Sequence, residues 1–263
     1  MSELVCLHAK EDVERFARRN LFVHIYALGD LDDFFWPFTS WFALRERGEI
    51  RQLVLLYLGV SIPTILAYAD APADSMRELM QALLPVLPRR FYAHLAVGVA
   101  DVLAADYRIE SHGTYYKMGM TDCARLAVVD ASEATRLSVT DTAELKALYA
   151  ASYPRNWFVP RMLETGHYYG VRRDGALVSV SGVHVFSPAY KVAALGNIST
   201  HPDFRGQGLA TIATARLCQE LLCAGIEHIG LNVNAENSSA VACYRKLGFE
   251  RIADYGEYTL ELK

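Results

Sequence analysis

The stretch His201–Leu217, HPDFRGQGLATIATARL, decides how the rest of the chain is read. It follows a run with strand character and passes a proline and two closely spaced glycines. It then takes on a helical pattern, with Leu209, Ala213, Leu217 and Leu221 at steps of four. The start of a helix exposes backbone N–H groups with no intrahelical partner, and the helix dipole makes that end positive. Glycines there keep side chains out of the way, so a phosphate can sit directly on the N–H groups. Each hydrogen bond to a charged group is worth about 1.5–3 kcal/mol, so a few of them hold a pyrophosphate without a metal. Arg205 adds a positive charge just ahead of Gly206. A tight strand-to-helix turn with no ligand is the competing reading of Gly206-Gln207-Gly208 taken alone.

Two nucleotide-binding loops are excluded by their own chemistry. A Walker loop needs Gly-Lys-Ser/Thr where this chain has Gly208-Leu209-Ala210, and a dinucleotide fingerprint needs Gly or Ala where it has Thr211. Composition excludes other classes. With 263 residues, 52% hydrophobic and 21% charged, the chain reads as globular and long enough for two small domains. A net charge of −4 with no basic block argues against a nucleic-acid surface. The five cysteines form no CxxC pair and no metal-ligand spacing with the histidines, which fits a reducing compartment and no metal. The apolar run Leu53–Ala69 is broken by Gly59, Ser61, Pro63 and Thr64 and is shorter than the roughly 20 residues of a spanning helix. Two buried strands explain it better. No secretory leader is legible in MSELVCLHAKEDVERF, so the expectation is a soluble, cytoplasmic protein with no membrane partner.

Around the opening stretch, the C-terminal half reads as helix, helix, three strands, helix, strand, helix, strand. Thr140–Ala151 is a helix with a Thr/Asp cap region, and a second short helix covers Pro160–Glu164. A hairpin turns at Asp174-Gly175, Tyr190–Thr200 is the third strand, and Gly225 and Gly248 end the two later helices. The N-terminal half gives nearly the same string. Helices at Glu11–Arg19 and Phe22–Leu28 precede apolar runs at Phe35–Leu44, Gln52–Leu58 and Ile62–Ala69. A helix over Asp74–Leu87 opened by an Asp cap follows, then a strand at Phe91–Val97, a short helix at Val99–Ala105 and a strand at Thr114–Met120. This is an internal repeat of architecture without a repeat of sequence. The join lies near Thr121–Arg125, giving domains 1–122 and 123–263. The first copy has YADAPADSMREL where the second has the glycine loop.

Arg-Gly-x-Gly-x-Ala after a strand resembles the coenzyme A loop of the GNAT superfamily of N-acyltransferases. A second stretch, LNVNAENSSAVACYRKLGFE (Leu231–Glu250), is similar to that family's strand–Asn–helix–Tyr–x–x–x–Gly–Phe signature through Asn237, Tyr244, Gly248 and Phe249. The resemblance covers about Arg125–Lys263, and two-copy arrangements akin to glycine N-acyltransferases are known in the superfamily. It implies an α/β (α+β) chain of tandem GNAT-type folds. Each would have a mixed, mostly antiparallel central sheet flanked by helices, with a degenerate N-terminal copy. It implies acetyl-CoA or another acyl-CoA as co-substrate. Ile198, Ser199 and Thr200 would pair with the pantetheine arm, and a backbone N–H in this stretch would polarise the thioester carbonyl. Arg205, Gly206, Gln207, Gly208, Leu209, Ala210 and Thr211 would take the pyrophosphate. Asn237 would bind the pantetheine arm, cap its helix, or do both.

Direct acyl transfer from a thioester to an amine, through a tetrahedral intermediate, needs a neutral amine, a stabilised oxyanion and a proton for the leaving thiolate. By resemblance Tyr244 supplies the last; a tyrosine merely packed on the sheet is the competing reading. Many relatives place a carboxylate base on the strand before the loop, and KVAALGNIST has none. The candidates left are His184, Glu236 or a water held by Asn197, against a histidine with no catalytic role. Tyr153, Trp157, Phe158, Tyr168 and Tyr169 either wall an acceptor pocket or belong to the core, and Arg155 and Arg161 could meet an acceptor carboxylate. The expected acceptor is a primary amine of a small molecule. A non-catalytic acyl-CoA sensor and a peptide or protein N-acetyltransferase are the alternatives, and a homodimer is left open.

Overall fold

The computed structural model describes residues 2–69, 73–154 and 156–263. The chain forms two compact units. The first comprises Met1–Lys117, Val233–Glu236 and Ile252–Lys263, the second Met118–Asn232 and Asn237–Arg251. The division is therefore not a cut at one point of the sequence: the last strand belongs with the first unit.

In chain order the first unit runs β1 (Ser2–Leu7), α1 (Lys10–Ala17), α2 (Ile25–Gly29), β2 (Thr39–Glu46), β3 (Glu49–Tyr57), β4 (Thr64–Ala67), α3 (Asp74–Leu83), β5 (Arg90–Ala96) and β6 (Tyr107–Met120), whose last three residues fall to the second unit. The second unit continues with β7 (Thr135–Arg136), α4 (Thr142–Ser152), β8 (Tyr169–Arg173), β9 (Ala176–Ser187), β10 (Val192–Thr200), α5 (Leu209–Cys223), β11 (His228–Asn234), whose last two residues fall to the first unit, α6 (Ser238–Lys246) and the start of β12 (Phe249–Leu262). The two follow one pairing plan. β1 to β4 are antiparallel neighbours and β4 is parallel to β5; β7 to β10 are antiparallel neighbours and β10 is parallel to β11. In each unit the strand pairing is mixed and mostly antiparallel, with helices packed on it, as the resemblance implies. β12 lies antiparallel to β5, from Tyr255 opposite Ala96 to Glu261 opposite Arg90.

Several local expectations are corrected. β1 was not read as a strand; it is an edge strand whose side chains are mostly exposed, so it carries no clean alternation. Trp36–Phe38 is a 3₁₀ turn around Pro37, and β2 begins at Thr39. Asp74 does not cap α3: the cap position is Ala73, and Asp74 lies in the first turn, where a negative charge favours the helix dipole. α3 stops at Leu83 because Pro85 follows and forms a 3₁₀ turn. Ala100–Leu103 and Pro160–Thr165 are 3₁₀ turns, not α-helices. α4 is preceded by a capping box, with Ser138 Oγ accepting from Thr140 N and Asp141 accepting from Ser138 N at 2.7 Å. β6 starts seven residues before Thr114, and the left-handed Gly113 (φ 95°) inside it breaks the alternation. The hairpin turn at Asp174-Gly175 stands as read, and β2 turns into β3 at Arg47-Gly48; all four residues have positive φ.

Packing follows the periodicities. α3 buries Met76, Leu79, Met80 and Leu83 against Ile65, Phe91 and Leu95; each such side chain contributes about 1.5–3 kcal/mol. α5 buries Leu209, Ala213, Leu217 and Leu221, the four positions read at steps of four. Another group of buried residues in the first unit is polar. Lys117 is 1% exposed, and its ammonium lies 3.6 Å from the Tyr68 ring centre and 5.0 Å from that of Tyr26. Burial pushes its pKa well below the ordinary lysine range, against the pull of the Glu257 charge. Glu257 accepts from Tyr255 at 2.7 Å and from the Tyr92 hydroxyl, and burial raises its own pKa. Among the described residues, no helix is long and apolar enough to cross a membrane, and no group of three or more His, Cys, Asp or Glu side chains is placed to hold a metal ion.

Candidate active site

The glycine loop is open. Gly206 and Gly208 both have φ 77°, and a Cβ built on either would meet nothing within 4 Å. Only glycine adopts this conformation without strain. Among the described residues, the N–H groups of Gly206, Gln207, Gly208, Leu209, Ala210 and Thr211 donate to nothing within the chain. The next amide, Ile212 N, bonds Gly208 O at 3.1 Å. Six donors thus stand at the positive end of a helix of 15 residues. Arg205 braces the loop: its Nε donates to Thr200 O at 3.2 Å and its Nη2 to Ser152 O at 3.3 Å.

Upstream, β10 parts from β11. The two pair only from Val192 opposite His228 to Leu195 opposite Leu231, and Gly196–Thr200 run on with no ladder on that edge. In the first unit all of β4 is paired to β5, so among the described residues β4 has no such free edge. The other edge of β10 meets β9 through two bulges. Ala194 faces Val185 while Leu195 faces Val183, leaving His184 as the extra residue of β9. Gly196 faces Gly182 while Ser199 faces Val180, so Asn197 and Ile198 stand against Ser181 alone. Asn197 has φ 54°, and it is 4% exposed. The facing glycines make room for two rings. A Cβ on Gly182 would overlap Tyr168, and one on Gly196 would overlap the imidazole of His184.

At α6, Asn237 is the N-cap: its Oδ1 accepts from Ala240 N at 3.1 Å and Ser239 Oγ at 3.0 Å. Tyr244 is buried beside Phe249, with ring centres 6.1 Å apart, and its hydroxyl bonds nothing among the described residues. Burial, then the neighbouring Cys243 thiol, pushes its pKa up. Thr211 Oγ1 lies 3.3 Å from Cys243 Sγ, joining the first turn of α5 to α6 next to Tyr244. Gly248 has φ 92°, and any side chain there would overlap the Asp122 carbonyl.

The structure brings Ile198, Ser199, Thr200 and Arg205–Thr211 into one strand–loop–helix run. His184 adjoins it, and Asn237 and Tyr244 sit on the helix tied to it. Ser199 Oγ donates to Ser152 Oγ at 2.8 Å and Thr200 Oγ1 shares a hydrogen bond with Ser179 Oγ at 2.8 Å, so both side chains are engaged by the scaffold. Glu236 is exposed, in the turn after β11, and groups with the first unit. Phe158 is half-buried and packs on Tyr149 and Tyr168 at 5.2 and 5.8 Å. Arg155 lies outside the described residues. Sequence reasoning missed the positions Ser152 and Tyr149. It also missed the paired glycines Gly182 and Gly196, although isolated glycines inside strands signal a bulge or close approach. A cavity of about 280 Å³ at the C-terminal end of α6, lined by Asp122, Arg125, Arg245, Gly248, Phe249, Glu250 and Arg251, touches Gly248 and Phe249 of the second signature but none of the residues expected to bind the coenzyme or act in catalysis.

The acetyltransferase (GNAT) family model matches residues 134–249. This segment is similar to the GNAT family. It is similar to the ribosomal protein bS18-alanine N-acetyltransferase of Salmonella typhimurium, 40% identical over 57 residues, which are 22% of this chain and 38% of that one. The chain spans less than two fifths of each of the first curated relatives it matches, at 39%, 37% and 38% of their lengths. Among solved structures, a GNAT-family acetyltransferase from Novosphingobium aromaticivorans matches with a TM-score of 0.60 at 22% identity, over 80% of this chain and 88% of that one. A tandem GNAT protein from the clavulanic acid biosynthesis pathway matches with a TM-score of 0.57 at 16% identity, over 98% of both chains. These likenesses show that the GNAT fold accounts for the whole chain, the first unit included.

Proposed function

We propose that the second unit transfers an acetyl or other short acyl group from acyl-CoA to the primary amine of a small molecule, and that the first unit is a degenerate copy without a coenzyme site. The observation that carries this reading is the row of six unbonded amides at Gly206–Thr211. A pyrophosphate is the ligand whose charge and size such a row fits. The free edge of Gly196–Thr200 supplies backbone groups in line with it for an extended arm, whereas β4 of the first unit is paired to β5 along its whole length. The bound acyl-CoA supplies an activated thioester.

The chain's own residues do the rest. The bulge at Asn197–Ile198 presents backbone to the acyl carbonyl, where a fixed N–H offsets developing negative charge. Tyr244, kept protonated by burial, holds its proton ready for the departing sulfur. The ring of His184 covers Gly196, next to the bulge, which supports its role as the base that takes the amine's proton. β10 itself carries no carboxylate, which favours one second reading, a non-catalytic acyl-CoA sensor.

One experiment separates them. Calorimetry with acetyl-CoA, followed by thiol release across a panel of small amines and peptides, should give binding with release on a small amine. Binding without release on any acceptor supports the sensor, and release on peptides alone supports a peptide acetyltransferase. No binding of acetyl-CoA overturns the proposal.

A further inference from the structure

The two bulges share one tyrosine. Tyr168 Oη donates to the carbonyl of Val183, the residue before the β9 bulge, at 3.2 Å. It accepts from Nδ2 of Asn197, in the β10 bulge, at 3.0 Å. A second tyrosine holds the same residue from the helix side: Tyr149 Oη donates to the Asn197 carbonyl at 2.8 Å. Both rings are buried and Phe158 packs against both. Burial raises both hydroxyl pKa values, so each stays protonated at working pH.

These bonds do something a ladder would otherwise do. Asn197 and Ile198 have no register partner on either side, and a non-glycine residue at φ 54° costs roughly 1–2 kcal/mol of strain. Satisfying the asparagine does not explain the arrangement, because its Oδ1 is buried and bonds nothing. What the two hydroxyls fix is backbone geometry. In a regular ladder Asn197 and Ile198 would each face a residue of β9, and the bulge that offsets their amides would be lost.

We propose that Tyr168 and Tyr149 are positioning residues that fix the Asn197–Ile198 bulge, and with it the backbone amide that meets the oxygen of the acyl carbonyl. The proposal rests on the acyltransferase reading. Neither tyrosine touches the acyl group; both act through Asn197.

The test uses acetyl-CoA labelled with ¹³C at the thioester carbonyl, bound to the full chain. In the wild type the bound carbonyl resonance is displaced from that of free acetyl-CoA. Tyr168→Phe, which keeps the ring over Gly182, and Tyr149→Phe should each lose at least half of that displacement. The dissociation constant for acetyl-CoA should stay within about threefold, and kcat should fall about tenfold with little change in KM. Variants that bind normally, keep the full displacement and turn over at the wild-type rate overturn the proposal. Loss of packing alone lowers the melting temperature and leaves the carbonyl displacement unmoved, and that result also counts against it. Should Tyr168→Phe fail to fold, Tyr149→Phe decides the matter alone, since it removes a single hydrogen bond. A wild type that does not bind acetyl-CoA at all refutes the acyltransferase reading first and this inference with it, an outcome distinct from failure in the variants alone.

Discussion

Tyr244 has a hydroxyl that burial keeps protonated, with no hydrogen bond among the described residues to hold it elsewhere. As the proton donor to the leaving thiolate, it matters only as the C–S bond breaks. Tyr244→Phe should therefore lower kcat by roughly 10²–10⁴ and leave the dissociation constant of acetyl-CoA nearly unchanged. Because its pKa is raised, it should contribute no basic limb to the pH–rate profile below about pH 10. Full turnover in the phenylalanine variant removes Tyr244 from the mechanism. At this scale the sequence was legible wherever a residue type answers a backbone demand. Gly206, Gly208 and Gly248 all have the positive φ that glycine admits. It was not legible at Asn197, whose left-handed conformation arises from a register shift between two strands that the local sequence does not encode.

Elements were readable in proportion to how much of one face they bury. α5 and α3 carry buried residues at three- and four-residue steps, and both were found. β1, exposed along most of its length, and β6, interrupted by Gly113, were respectively missed and shortened. β6 also ends the first unit on Lys117, a lysine in an interior position that alternation alone cannot distinguish from a surface one. Its lowered pKa makes a pH prediction. The folded protein gives up the Lys117 proton at lower pH than the unfolded chain does. Between those two pKa values the unfolded state holds more protons, so stability rises with pH, and below them the cost of burying the charge is present in full. Lys117→Met removes this contribution. Urea unfolding at a series of pH values should show the variant's advantage over wild type shrinking as the pH rises toward about 10. An advantage that grows with pH, or stays flat, contradicts the buried-charge account.

At the scale of the whole molecule, the repeat was visible because both copies keep the same order of elements, and order survives when sequence identity does not. The partner of the last strand was not visible. β12 follows α6 in sequence, yet from Tyr255 to Glu261 it pairs with β5, about 160 residues earlier by the register of Glu257 with His94. Strand pairing over that separation leaves no local trace. The consequence is that residues 1–122 lack a strand of their own sheet, leaving the edge of β5 bare of the seven residues that pair with it. They also lack Glu257, the carboxylate bonded by Tyr92 and Tyr255, and Lys263, whose Nζ donates to Ala104 O at 2.7 Å. Expressed alone, residues 1–122 should aggregate or melt without cooperativity. Expressed together with residues 123–263 as a separate chain, they should co-purify with them as a one-to-one complex that melts in a single transition. A fragment 1–122 that is monomeric and unfolds cooperatively on its own would show that β12 is dispensable to the first unit. The sequence boundary at residue 122 would then also be the physical one.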